Sequence, residues 1–289
     1  MATLLDFRRR IRSVKNTQQI TRAMKFVAAA RLRRAQESAL AARPYATELT
    51  RLLRSIMGRI DEPQHPLLAK RPEKRVLAVV LTGERGLAGA FNTNILRKAN
   101  EFLRAHKDSK LSVIPVGKKG RDALKRAGFT FAAEYINVLA KVEFSVAREI
   151  AGLVTELYAK DEIDAVYLIF SEFKSVITAN LKIEKLLPVE PETEGEGDQG
   201  RGTQVDYIYE QPPEKLLGAL LPKYIEAQIL RTMLESSAAE YAARMTAMES
   251  ATRNAGEVIQ ALTLHMNKVR QAAITKEIIE IVSGASHGA

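Results

Sequence analysis

From Leu234 to Ala273 one spacing repeats without a break. Leu234, Ala238, Tyr241, Met245, Met248, Thr252, Ala255, Ile259, Leu262, Met266, Val269 and Ala273 follow one another at alternating steps of four and three residues. A mean step of 3.5 keeps one stripe of an α-helix turned toward a partner helix, and a stripe of that period supercoils left-handed. The alanines and the threonine in the stripe require the partner to come close at those levels. The same stepping opens the chain at Leu4, Phe7, Ile11 and Val14, and returns at Ala46, Leu49, Leu53, Ile56 and Ile60. Residues 1–57 hold no glycine and one proline, Pro44, among strong helix formers, so one helix is predicted over 4–57, with Pro44 as the place to kink it. At about 1.5 Å per residue such a helix is roughly 80 Å long. Two stripes at opposite ends of one chain pair most directly with each other, which predicts an antiparallel coiled coil.

Between them the pattern changes. Val76–Thr82 (VLAVVLT), Leu111–Gly117 (LSVIPVG) and Ala165–Phe170 (AVYLIF) are short apolar runs of strand length. They alternate with helical spacing over Asn92–Lys107, a short helix around Arg121–Arg126 and a helix over Ser145–Lys160 with Ser145 read as its N-cap. This alternation predicts a mostly parallel sheet covered by helices, with Val176–Leu187 as an added antiparallel strand. The expected fold class is therefore α/β: a long antiparallel coiled coil of the terminal helices plus a Rossmann-like α/β domain. Along the chain the segments are 1–60 (helix), 61–212 (α/β domain) and 213–289 (helix). Within the middle segment, Glu190–Gly202 carries five acids and four glycines and no large apolar residue, so it is read as a mobile surface loop.

The net charge of +10 is unevenly placed. Residues 1–36 hold ten basic side chains against Asp6 alone, a net of +9, whereas Lys223 to the end balances seven basic residues with seven acids. A basic helix of this kind suits nucleic acid, anionic lipid or an acidic protein surface, because all three reward the same long-range attraction. The low aromatic content, 6%, and the absence of tryptophan weaken a base-stacking surface. No run approaches a membrane span, and the start MATLLDFRRRI lacks the apolar region of a secretory signal, so a cytosolic-side protein is expected.

Chemistry is scarce. With no cysteine, and with His65, His106, His265 and His287 scattered, the chain offers no thiolate nucleophile, iron–sulfur cluster or recognisable metal site. No carboxylate pair or nucleophile–base pair stands out by spacing, so no catalytic residue, metal ligand or cofactor is assigned. Two glycine-bearing turns remain. Thr82–Asn92 (TGERGLAGAFN) sits between a strand and a helix, where phosphate loops also sit, but it lacks their spacing and their Gly-Lys-Ser/Thr. It is read chiefly as tight backbone packing, and Gly117–Gly120 (GKKG) as a solvated loop, with anion binding the alternative for each.

Arg10–Ala30 (RIRSVKNTQQITRAMKFVAAA) and Met266–Ser286 (MNKVRQAAITKEIIEIVSGAS) closely resemble the terminal segments of the gamma subunit of F-type ATP synthases. Ile274-Thr275, Glu277, Glu280 and Gly284-Ala285 match that family's C-terminal signature. RGLAGAFN (Arg85–Asn92), DYIYE (Asp206–Glu210) and EYAARMTAMESATRNA (Glu240–Ala255) are similar to family segments as well, so the likeness runs nearly end to end. Gln19 and Phe26 depart from the usual lysine and methionine, and Ala88 from a common cysteine. The resemblance implies a non-catalytic central rotor shaft, without cofactor, that couples proton-driven rotation of a membrane ring to ATP synthesis or hydrolysis in an alpha/beta hexamer. Its implied partners are the alpha, beta and epsilon subunits and the proton-carrying c-ring, with no nucleic acid; a nucleic-acid module would leave the C-terminal signature without a reason. By the same resemblance, Arg270, Gln271 and Thr275 hydrogen-bond a loop of the beta subunit, and Met24 with Arg22 and Lys25 faces that subunit's acidic lever. Tyr207, Tyr209 and Glu210 adjoin the ring and epsilon, and the C-terminal tip enters an apolar sleeve of the hexamer. The implied location is peripheral, on the cytoplasmic face of a bacterial plasma (inner) membrane.

Overall fold

The computed structural model describes residues 3–58, 65–176, 178–189 and 212–286. In chain order the elements are α1 (Leu4–Met57), β1 (Arg75–Leu81), α2 (Phe91–Ala105), β2 (Lys110–Val116), α3 (Lys118–Arg126), α4 (Phe144–Ala159), β3 (Ala165–Phe173), β4 (Ala179–Leu187) and α5 (Pro213–Ser286). The first and last helices run 54 and 74 residues, with Pro44 and Pro222 inside them. Chain contacts group the residues into two compact units, Met1–Ala30 with Arg244–Ala289, and Arg31–Ala243.

In the larger unit the strand order is β2-β1-β3-β4. β1 pairs parallel with both neighbours, with Val79 opposite Ile114 on one side and Leu168 on the other, and β4 closes the sheet antiparallel to β3. This is the mostly parallel sheet that the apolar runs predict, with the antiparallel strand expected over Val176–Leu187 formed by Ala179–Leu187. Successive side chains of a strand point to opposite faces, so β1 feeds two cores. Leu77, Val79 and Leu81 meet α4, the Leu217–Met233 stretch of α5 and the α1 residues Leu53 and Ile56. Ala78 and Val80 meet Phe91, Ile95, Ala99 and Leu103 of α2, Leu124 of α3 and Ala239 of α5. The i, i+3, i+4 spacing of Ala147, Ile150, Ala151 and Val154 gives α4 the one apolar stripe it buries.

The N-terminus of α4 differs from expectation. The helix begins at Phe144 with Glu143 in the extended cap position, so Ser145 lies inside the first turn, and no side chain caps the helix. Glu143 is engaged instead by Lys141 at 2.8 Å. At the start of β1, Arg75 is clamped to Asp164: its backbone N–H donates to Oδ2 at 2.8 Å and its Nη2 to Oδ1 at 2.6 Å. That hydrogen-bonded guanidinium holds the Asp164 carboxyl below the usual carboxylate range. The acidic stretch Glu190–Gly202 and Ile60 lie outside the described residues.

Candidate functional site

Two places in the molecule could carry function: the crevice at the carboxyl ends of the parallel strands, where α/β folds hold their ligands, and the paired terminal helices.

The crevice is filled by the chain itself. Leaving β1, Thr82 is fully buried, and its hydroxyl accepts the Gly120 N–H at 2.7 Å. Glu84 spreads its carboxylate between two backbone donors, Lys118 N–H at 3.0 Å and Val138 N–H at 3.2 Å. Lys118 opens α3, so the anion that a helix N-terminus favours is supplied here by a side chain of the β1–α2 turn. Gly117–Gly120 is thus packed against that turn, correcting the solvated-loop expectation. Gly117 has φ +108°, and a Cβ on it would lie 1.9 Å from the Thr82 carbonyl oxygen. Asn92 closes the turn by accepting the Gly83 N–H at 2.8 Å and donating to the Arg85 carbonyl at 3.3 Å. From above, α5 presses on it: a Cβ at Gly83 would meet the Glu240 carboxyl group at 2.8 Å, and Ser237 donates to the Leu139 carbonyl at 3.0 Å. Leu87 stands out of the turn, 65% exposed and at φ 63°, a conformation L-residues adopt rarely. Among the described residues no group of three or more His, Cys, Asp or Glu side chains could hold a metal ion. The arrangement is one of tight internal packing.

In the smaller unit, α1 and α5 pair antiparallel through the stripe that the sequence marks. The Phe7 and His265 rings lie 5.0 Å apart, the hydroxyls of Thr21 and Thr252 share a hydrogen bond of 2.8 Å, and Lys25 pairs with Glu249 at 2.6 Å. Gln18 donates to the Thr252 carbonyl at 3.3 Å, next to Gly256, where a Cβ would come within 3.1 Å of the Gln18 amide. Small residues at these levels are what allow the close approach. The Lys25 ammonium holds the Glu249 carboxyl below its ordinary range.

The partnering faces leave two surfaces open. On α1, Arg8, Arg9, Arg10, Arg12, Lys15 and Arg22 are exposed, so the basic excess lies away from the seam, together with Ile20, Phe26 and Val27 at 54–61% exposure. On α5 the register set by Phe7 and His265 leaves, among the described residues, no turn of α1 opposite positions beyond about 270. Past that level the side chains are bare: Ile274, Ile278, Ile279, Ile281 and Val282 are 48–72% exposed. Of the residues singled out by sequence, Arg270, Gln271 and Thr275 are exposed on this stretch, Arg22 is exposed, Met24 is half-buried, and Lys25 is half-buried in its pair with Glu249. Tyr207, Tyr209 and Glu210 lie outside the described residues. Sequence reasoning missed Glu84 as the internal anion of α3, for which an acid in a strand-to-helix turn is no signal by itself.

The larger unit is thus an α/β layer whose strand-end crevice its own side chains close, and the smaller one a coiled coil of the terminal helices. Residues 3–287 match the family model described as ATP synthase. The chain is similar to the ATP synthase gamma chain of Solibacter usitatus (strain Ellin6076), 51% identical over 291 residues and covering 99% of both chains. It is also similar to that of Chlorobium phaeobacteroides (strain BS1), 49% identical over 292 residues, covering 99% of this chain and 98% of the other. Among solved structures, the central stalk and c-ring of the Tetrahymena thermophila mitochondrial ATP synthase contains a chain 25% identical, with a TM-score of 0.60, over 80% of this chain and 99% of that one. The Euglena gracilis mitochondrial enzyme, in rotational state 3, has a chain of the same fold at 22% identity and a TM-score of 0.66, over 98% and 93%.

The chain belongs to the ATP synthase gamma family. It is the central rotor element of an F-type ATP synthase, a subunit without an active site of its own that couples rotation to ATP synthesis or hydrolysis in the complex. The complex is membrane-associated, and no helix among the described residues is long and apolar enough to cross a membrane.

Proposed function

We propose that the rotor acts on the catalytic beta subunit through two patches of the paired helices: Met24 with Arg22 and Lys25 against an acidic lever, and Arg270, Gln271 and Thr275 against a second loop. The observation that carries this reading is the uncovered end of α5, where five large aliphatic side chains stand 48–72% exposed beside Arg270 and Thr275. Bare aliphatic surface of this kind is an interface awaiting an apolar sleeve. The alpha and beta subunits supply that sleeve as a hexamer around the coiled coil. Arg22 and its basic neighbours on α1 provide long-range attraction for an acidic partner. Tyr207, Tyr209 and Glu210 contact epsilon and the c-ring, and the assembly works at the cytoplasmic face of a bacterial plasma membrane. Coupling requires contacts that differ between rotor positions, since equal contacts in every position shift no equilibrium.

The test is reconstitution with alpha and beta subunits, epsilon and the c-ring in vesicles. Ending the chain after Leu262 removes Arg270, Gln271 and Thr275 and is expected to lower ATP synthesis in the assembled complex. Met24→Lys is expected to leave ATP hydrolysis intact while reducing the protons pumped per ATP. Synthesis at the full-length rate would remove the first patch from the reading, and a wild-type pumping ratio the second.

A further inference from the structure

In the larger unit, six charged side chains from four elements converge on one point: Arg43 of α1, Glu172 of β3, Lys182 and Glu184 of β4, and Arg231 and Glu235 of α5. Lys182 bridges Glu172 at 2.9 Å and Glu184 at 3.3 Å, and Arg231 donates to Glu184 at 2.5 Å with its guanidinium over the Phe170 ring. Glu172 and Glu235 each keep one buried oxygen, Oε2, without a hydrogen bond, and Glu235 is the deeper of the two: its side chain is 5% exposed against 18%, and its cations stand off, Arg231 at 3.7 Å and Arg43 at 4.0 Å. A carboxylate held so deep with so little compensation costs stability, and a neutral side chain of similar shape would pack there at lower cost. Burial pushes its proton affinity up, against the pull of Arg231. Yet its position has a use, because from α5 it reaches Arg43 across on α1 and Arg231 one turn back on its own helix, and Arg231 in turn grips the sheet through Glu184.

We infer that Glu235 is a positioning residue for coupling: its charge holds Arg43 and Arg231 in one register on the β3–β4 face, so that the α1 and α5 stretches of this unit turn with the sheet as one piece. The inference rests on the rotor function and is independent of the proposed beta-subunit contacts. In this arrangement the ion cluster is a torsional link. Protonating Glu235 frees Arg43, while Arg231 stays on Glu184 and over the Phe170 ring and the apolar cores on either side of the sheet stay in place.

The experiment places Glu235→Gln and Glu235→Asp in the assembled ATP synthase in vesicles and measures ATP hydrolysis and proton pumping together across a pH series. The glutamine variant is expected to hydrolyse ATP at the wild-type rate with fewer protons pumped per ATP than the wild type. The aspartate variant, which keeps the charge, is expected to recover most of the ratio. The wild-type ratio is expected to approach that of Glu235→Gln as the pH falls and Glu235 takes up its proton, while the variant's ratio stays flat. A wild-type ratio in Glu235→Gln overturns the inference. So does a parallel loss of assembly, hydrolysis and pumping in both variants, which would make Glu235 a fold residue only. A wild-type complex that failed to assemble would count instead against the rotor function itself.

Discussion

α5 passes through two environments under one sequence pattern. Between Thr232 and Ala242 every residue is buried, with Ser236, Ala238 and Ala239 at 0–1% exposure, because the sheet, α2 and α1 surround the helix. Between Met245 and Val269 the same 4/3 stripe faces α1, and residues off the stripe, such as Arg253, Leu264 and Lys268, are exposed. The stripe therefore says which face turns inward. How many other faces are also covered depends on how many elements crowd the helix. A helix buried all round resists deformation, since packed interiors transmit strain, whereas a two-helix rod leaves most of its circumference free for a partner.

The largest expected effect that sharpens this contrast is a pair of truncations on the same helix. Leu221→Ala, at a fully buried position among Ile225, Ile229 and the sheet, is expected to cost about 3 kcal/mol, and Ile259→Ala, on the half-covered seam, about 1 kcal/mol. Denaturant titrations at unchanged slope check it, and equal losses would dissolve the distinction between the two environments.

Acid provides the next test. Arg75 depresses the pKa of Asp164, so this pair contributes fully above the ordinary aspartate pKa of about 4 and is lost as pH falls through the lowered value. Glu235 has the opposite sign: its raised pKa favours folding below the ordinary glutamate value, and that contribution fades as pH rises through the folded one. Asp164→Asn is therefore expected to flatten the acid limb of the larger unit's stability, followed by circular dichroism against pH. Glu235→Gln should raise stability near neutrality. An acid limb unchanged in Asp164→Asn would mean that other carboxylates dominate it.

The smallest effect belongs to the coiled coil's ion pair. Lys25 and Glu249 are in contact at 2.6 Å at the solvent edge of the seam, with side-chain exposures of 33% and 56%. Lys25→Gln is expected to leave thermal unfolding within scatter, since exposed pairs contribute little net stability. A clear drop in melting temperature would show the seam to depend on charge as well as on close packing.

Much of this was legible beforehand. The stripe predicted both long helices and their antiparallel pairing, and the apolar runs located the three parallel strands, because burial on a helix or strand imprints a period on the residues that face inward. The α4 start was misread because Ser145 is a good cap in isolation, while the tertiary path places the turn at Glu143. GKKG looked solvated because nothing local announces that Thr82 and Glu84 will fold back onto it.

The sequence by itself determined which residues turn inward, where helix gives way to strand, and, through its terminal and central motifs, the family. Only the tertiary structure decided that Glu84 would serve as the anion of α3, that α5 would be covered on every side at Ser236 and bare at Ile281, and that Arg43, Arg231 and Glu235 would meet at β4. The physical reason is range. Periodicity is a property of neighbouring turns, whereas the depth of burial and the charges a side chain meets depend on elements brought together from distant parts of the chain.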